Sequence, residues 1–223
     1  MRIVYLHGFA SSPKSGKARF FAARFAECGV PVDVPELDQG DFSNLTITGQ
    51  LGVIERTVAG RPAILMGSSL GGYLAALFAA RHPFVQRLIL MAPAFQFPRR
   101  WRERYPAGEM AKWKTNGTWP IFHYAHGKEI PLAYGFVEDS RNYEDEPAFS
   151  QPALIFHGIR DSVVPAELSR EYTARHPNVR LRLFDSEHEL TDVVEEMWGE
   201  VRGFLGLPLI SKPDHETHRF QSS

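Results

Sequence analysis

Short apolar runs without polar alternation recur along the 223-residue chain, and most are followed by a segment with helical spacing. The pattern predicts strands over Arg2–Leu6, Val32–Val34, Pro62–Met66, Arg87–Met91, Ala153–His157 and Arg180–Phe184. Helices are predicted over Ser15–Glu27, Thr48–Val58, Leu70–Arg81, Pro165–His176 and Leu190–Phe204, with Pro35–Asp41 as a loop. Strands that are apolar on both faces belong in a sheet covered on both sides. Repeated strand–helix units make that sheet mostly parallel and doubly wound, an α/β fold.

Residues 95–150 break the alternation with an irregular, aromatic-rich segment that holds Trp101, Trp113 and Trp119, three of the four tryptophans. So many aromatic residues argue against disorder, and a long insertion in a compact domain is usually functional. The segment reads as a cap inserted into one α/β domain over 1–210, its aromatic side chains lining an apolar acyl or aryl pocket. A side subdomain with its own small core is the alternative. Residues 211–223 are polar and aperiodic and read as a loose tail.

Composition narrows the picture further. Hydrophobic residues make up 43% and charged residues 23%, as in ordinary globular proteins, and the net charge is -1. That balance gives no general attraction to nucleic acid or an anionic membrane, and Glu103 interrupts the arginines at 99–104. The single cysteine, Cys28, excludes an internal disulfide and a cysteine-rich zinc site, and it reads as a small hydrophobe. No apolar run approaches a membrane span, and the chain enters its first strand without a secretory leader, so a cytoplasmic location is expected. Neither composition nor pattern indicates an oligomeric state.

Candidate chemistry sits between strand 62–66 and helix 70–81, where Gly67-Ser68-Ser69-Leu70-Gly71 reads G-x-S-x-G. A tight strand-to-helix turn lifts the central serine, Ser69, above the sheet edge, with glycines allowing close backbone approach. Ser68 reads as a small residue packed at the turn. A serine hydroxyl needs a base to take its proton, and the base needs a partner to fix its tautomer. In this architecture an acid and then a histidine follow the serine along the chain. His188, just after strand 180–184, is the expected base, and Asp161, just after strand 153–157, the expected acid. Asp185 is a competitor for the acid, and Asp161 could instead cap the helix near Pro165. His82 and His176 read as helix terminators and His157 as a satisfied histidine near the core. His123 and His126 fall in the cap, while His215 and His218 fall in the tail. Backbone amides of Leu70 and Phe9 are the expected oxyanion donors, with Gly8 permitting the turn and His7 holding the loop. No metal-ligand spacing, dinucleotide fingerprint or Walker loop occurs, so no cofactor is expected.

Tyr5-Leu6-His7-Gly8-Phe9-Ala10-Ser11-Ser12-Pro13-Lys14-Ser15-Gly16-Lys17-Ala18, with Gly67-Ser68-Ser69-Leu70-Gly71-Gly72-Tyr73, resembles the small YqiA-like bacterial esterases of the α/β-hydrolase superfamily. More weakly, the segment from Leu132–Phe136 through Val164-Pro165 resembles capped acyl-thioester and acyl-glucuronide hydrolases. The resemblance implies an α/β-hydrolase fold with a cap, a triad of Ser69, Asp161 and His188, and an oxyanion hole at Phe9 and Leu70. It implies a serine hydrolase acting on small-molecule carboxylic esters or thioesters of small to medium acyl groups. A peptidase or carbon–carbon bond hydrolase would use the same triad, and a non-catalytic ligand-binding protein could share the fold.

Overall fold

A computed structural model describes residues 1–208; the expected tail at 211–223 lies outside the described residues. Six strands form one parallel sheet: β1 (Ile3–Leu6), β2 (Val32–Asp33), β3 (Ala63–Ser68), β4 (Val85–Met91), β7 (Ala153–Gly158) and β8 (Val179–Phe184). Their order is β2-β1-β3-β4-β7-β8. The chain steps outward from β1 to β2, returns to β3 on the other side of β1, and then proceeds outward to β8. The connections therefore diverge between β1 and β3, the point where open α/β sheets build their sites.

Alternate side chains of each strand serve two separate cores, which is why the strands read as unbroken apolar runs. On one face Val4, Leu6, Leu65, Leu88, Leu90 and Ile155 join residues of α2 (Ile47–Val58), α3 (Leu70–Arg81) and α7 (Ala166–Arg175). On the other, Ile3, Tyr5, Met66, Ile89, Met91 and Phe156 meet α1 (Gly16–Glu27) and α8 (Val194–Leu205). Helix α3 is apolar almost all round because it is buried almost all round, from Leu70 to Ala79. Ser15 caps α1 by accepting from the Ala18 amide, and Thr46 caps α2 by accepting from the Gly49 amide at 2.9 Å. Cys28 ends α1, partly buried against the second core.

The inserted segment is ordered. It holds α4 (Phe97–Glu103), α5 (Ala107–Asn116), an antiparallel hairpin of β5 (Thr118–His123) and β6 (Lys128–Ala133), and α6 (Gly135–Ser140). Trp113 is fully buried at its centre, ringed by Trp101, Tyr105, Trp119 and Tyr134, and its Nε1 donates to Leu132 O at 2.9 Å. The expectation that Trp113 lines a substrate pocket is therefore corrected: it is a packing residue of the inserted segment, in a cluster continuous with the first core. Among the described residues no helix is long and apolar enough to cross a membrane.

Candidate active site

β3 ends at Ser68 and α3 begins at Leu70, so Ser69 makes the turn, at φ 53° and ψ -117°. A non-glycine residue held there is strained by order 1–3 kcal/mol and persists only where its surroundings fix it. They do so here. The Ser69 amide donates to Met91 O at 2.8 Å, and its carbonyl accepts from Gly72, Tyr73 and Ala94 amides at 3.0, 3.1 and 3.1 Å. The flanking glycines answer to close packing: a Cβ on Gly67 would lie 2.2 Å from Gly71 O, and one on Gly71 would lie 2.1 Å from Leu6 O. Ser68 is buried beneath the turn.

Loops after β7 and β8 complete the arrangement. His188 Nδ1 lies 2.7 Å from Asp161 Oδ2, and its Nε2 lies 3.1 Å from Ser69 Oγ. A carboxylate can only accept, so Nδ1 carries the proton and Nε2 is left to accept from the serine hydroxyl. Asp161 is itself tied down, its Oδ1 accepting from the Val163 and Val164 amides at 2.8 and 2.7 Å. Burial alone would raise the Asp161 carboxyl, but bonds from His157, His188 and the Val164 amide outweigh it and hold it well below the usual carboxylate range. Asp161 is not the helix cap, because α7 begins at Ala166 after Pro165. Asp185 is exposed and paired with Arg160, away from the imidazole.

The loop after β1 lies alongside. Among the described residues, no protein acceptor engages the Phe9 or Leu70 amide, so both remain available as donors. One detail corrects the expectation for this loop. Gly8 has no positive φ, and a Cβ there would sit at an ordinary 3.5 Å from Ser68 O; the left-handed residue is Ala10, at φ 52°. His7 Nδ1 donates to Gly8 O at 3.0 Å and Nε2 accepts from the Leu37 amide at 3.3 Å, so His7 holds the loop. The inserted segment touches the rims on both sides. Trp101 stacks edge-on against Phe9 at 4.8 Å, the Tyr124 amide donates to Ala10 O at 3.0 Å, and Arg100 Nη2 donates to Val163 O at 2.6 Å. His123 is buried against Phe42, and His126 is exposed on the hairpin turn. His82 and His176 end α3 and α7. A surface cleft of about 530 Å³ between β8 and α8, lined by Arg180, Arg182 and Glu200 among others, includes none of these site residues.

Residues 2–204 match the model of the uncharacterised protein family UPF0227. The chain belongs to that family. Among curated proteins nothing matches its sequence. Solved structures share its fold, that of the α/β hydrolases. Est1E from Butyrivibrio proteoclasticus with ferulic acid bound is 20% identical, with 92% of this chain and 87% of that one covered, at a TM-score of 0.79. Mouse α/β-hydrolase domain-containing protein 10 is 20% identical, with 92% and 89% covered, at 0.76. A monoacylglycerol lipase from Paleococcus ferrophilus is 17% identical, with 92% and 93% covered, at 0.70.

Two residues of this UPF0227 site were not assigned to it from sequence. His157 is fully buried, as expected, but its Nε2 lies 3.2 Å from Asp161 Oδ2 and 2.9 Å from Val164 O. Its Nδ1 accepts from Ser169 Oγ at 2.7 Å, so Nε2 carries the proton and braces the acid loop. A Cβ on Gly158 would lie 2.3 Å from Ser186 O, so this glycine brings the Asp161 and His188 loops together. Histidine at a strand end and glycine after it were the available signals, and neither type is specific by itself.

Proposed function

We propose that the protein is a serine hydrolase that cleaves carboxylic esters or thioesters of small to medium acyl groups through an acyl-enzyme. The continuous hydrogen-bonded chain from Asp161 through His188 to the strained Ser69 carries this reading. Ser69 Oγ attacks the acyl carbon while its proton passes to His188 Nε2, and Asp161 stabilises the resulting imidazolium. The Phe9 and Leu70 amides hold the oxyanion, each donor contributing about 3 kcal/mol to transition-state stability. Collapse breaks the bond to the alcohol or thiol, and His188 returns the proton to that leaving group. Water then attacks the acyl-enzyme, with His188 again as base, and the acid and free Ser69 are released. Fold relatives that include a monoacylglycerol lipase and other lipolytic enzymes support hydrolase chemistry on this scaffold.

Hydrolysis of a graded series of 4-nitrophenyl esters and acyl thioesters tests the reading. Ser69→Ala is expected to fold normally and to lower kcat by about 10³-fold or more, whereas Ser68→Ala keeps most activity. Equal activity of Ser69→Ala and the unmodified protein across the series contradicts it.

A further inference from the structure

Among the described residues, two cations on helices around the candidate site, Arg100 and Lys17, form no salt bridge. Arg100 projects from α4 onto the acid loop, where Nη2 donates to Val163 O at 2.6 Å, and the amide of that same Val163 holds Asp161. Its neighbour Arg99 has Gln96 and Glu103 close by, yet Arg100 forms no salt bridge among the described residues. It is partly buried, and burial lowers its pKa against the pull of Asp161. Lys17 sits in the first turn of α1, at the end of the loop that carries Phe9. It too is partly buried and forms no salt bridge among the described residues, although the negative charges of Glu189 and Asp161 both act on it. Burial pushes its ammonium down to about 8.

Holding a desolvated cation without an ion pair is costly, and Lys17 bears its charge at the positive end of a helix dipole besides. Positions that tolerate such costs concentrate where a ligand supplies the missing charge. The geometry also assigns a side. The acyl oxygen belongs with the Phe9 and Leu70 amides, while the leaving group belongs beside His188, which hands it a proton. Arg100 lies on the loop of Asp161, the carboxylate that holds His188. We infer that Arg100 and Lys17 form an anion-binding subsite and that the substrate carries a carboxylate or phosphate on its leaving group. This rests on the esterase reading and narrows it from esters in general to esters of anionic alcohols or thiols.

Matched acetate esters test it: 4-acetoxyphenylacetate, 4-acetoxybenzylphosphonate and the neutral methyl 4-acetoxyphenylacetate, whose phenols are similar in acidity. The expected kcat/KM for at least one anionic ester exceeds that of the methyl ester by about tenfold, the scale of one charge-assisted hydrogen bond. Arg100→Gln and Lys17→Gln are each expected to lower that ratio by about fivefold or more, and added salt to lower it in the unmodified protein. Arg100→Lys should recover part of it, since the charge is retained. Arg61→Gln, an equal charge change at the opposite end of β3, should leave it unmoved. The two anionic esters separate carboxylate from phosphate recognition. A ratio near one, or a ratio unchanged in both glutamine variants, overturns the inference. So does a charge preference that appears only on the acyl side, for phenyl hydrogen adipate over phenyl hexanoate. Turnover without charge preference removes this inference alone, whereas no Ser69-dependent turnover on any ester removes the esterase reading with it.

Discussion

Ser69, Gly67 and Gly71 could be read from sequence because the turn they make leaves few residue types able to occupy it. A methyl group on Gly67 would meet the backbone of Gly71 at 2.2 Å, and no side-chain movement relieves a backbone clash. Gly67→Ala is therefore expected to destabilise by about 3 kcal/mol or more, measured by urea unfolding. Gly8→Ala, with its Cβ at an ordinary 3.5 Å from Ser68 O, is expected to stay within about 1 kcal/mol of the unmodified protein. The reverse order would mean that the oxyanion loop, not the serine turn, is the tight point. Gly8 shows where residue type misleads, since Ala10 takes the left-handed conformation instead. His157 marks the same limit from the other side: its contact with Asp161 depends on where the acid loop folds back, which no local pattern encodes. His157→Gln is expected to reduce kcat by about tenfold, well short of the ~10⁴-fold expected for Asp161→Asn. A silent His157→Gln variant would leave the two Val amides as sufficient support for the acid.

The sheet and its flanking helices were legible because the central strands are buried apolar runs and the helices between them are long, with Ser15 and Thr46 capping α1 and α2. Boundaries moved little, with β4 starting at Val85 and α8 at Val194. The elements of the cap were not legible. Pro120 stands opposite Pro131 in the β5–β6 hairpin, and prolines in a run argue against a strand, while α4 and α6 are too short to show periodicity. Within that hairpin His123 is buried with neither ring nitrogen hydrogen-bonded among the described residues. Burial, then His126 and His7, lower its pKa below the ordinary 6.5, against the pull of Asp38 at 3.9 Å. The neutral form is thus favoured by folding. Its contribution is complete above pH 6.5 and is lost as pH falls below that value toward the depressed folded pKa. His7, also lowered chiefly by burial, adds a contribution of the same sign. Urea unfolding at pH 7.5 and pH 5 should show lower stability at the acid end, with a smaller difference in His123→Phe. An equal difference in both proteins would assign the whole effect to other groups. Trp113→Ala is expected to cost about 3–5 kcal/mol in the same assay, the loss expected of a core tryptophan.

At the scale of the molecule, the candidate site gathers the loops after β1, β3, β7 and β8 at one edge of the sheet, with the inserted segment laid across them. Chain order alone brought Ser69, Asp161 and His188 to that edge, because parallel strands all end on the same side. A net charge of -1 says nothing of Arg100 and Lys17, since local charge at an edge is averaged away in the total. The proposed function stands on Ser69 being a nucleophile activated by His188 rather than a residue that only makes the turn. Intact-protein mass spectrometry with peptide mapping after fluorophosphonate treatment addresses it directly. A single adduct is expected, mapped to Ser69, absent in Ser69→Ala, strongly slowed in His188→Ala and unaffected in Ser68→Ala. An adduct on Ser68 or elsewhere, or labelling at the unmodified rate in His188→Ala, would contradict it.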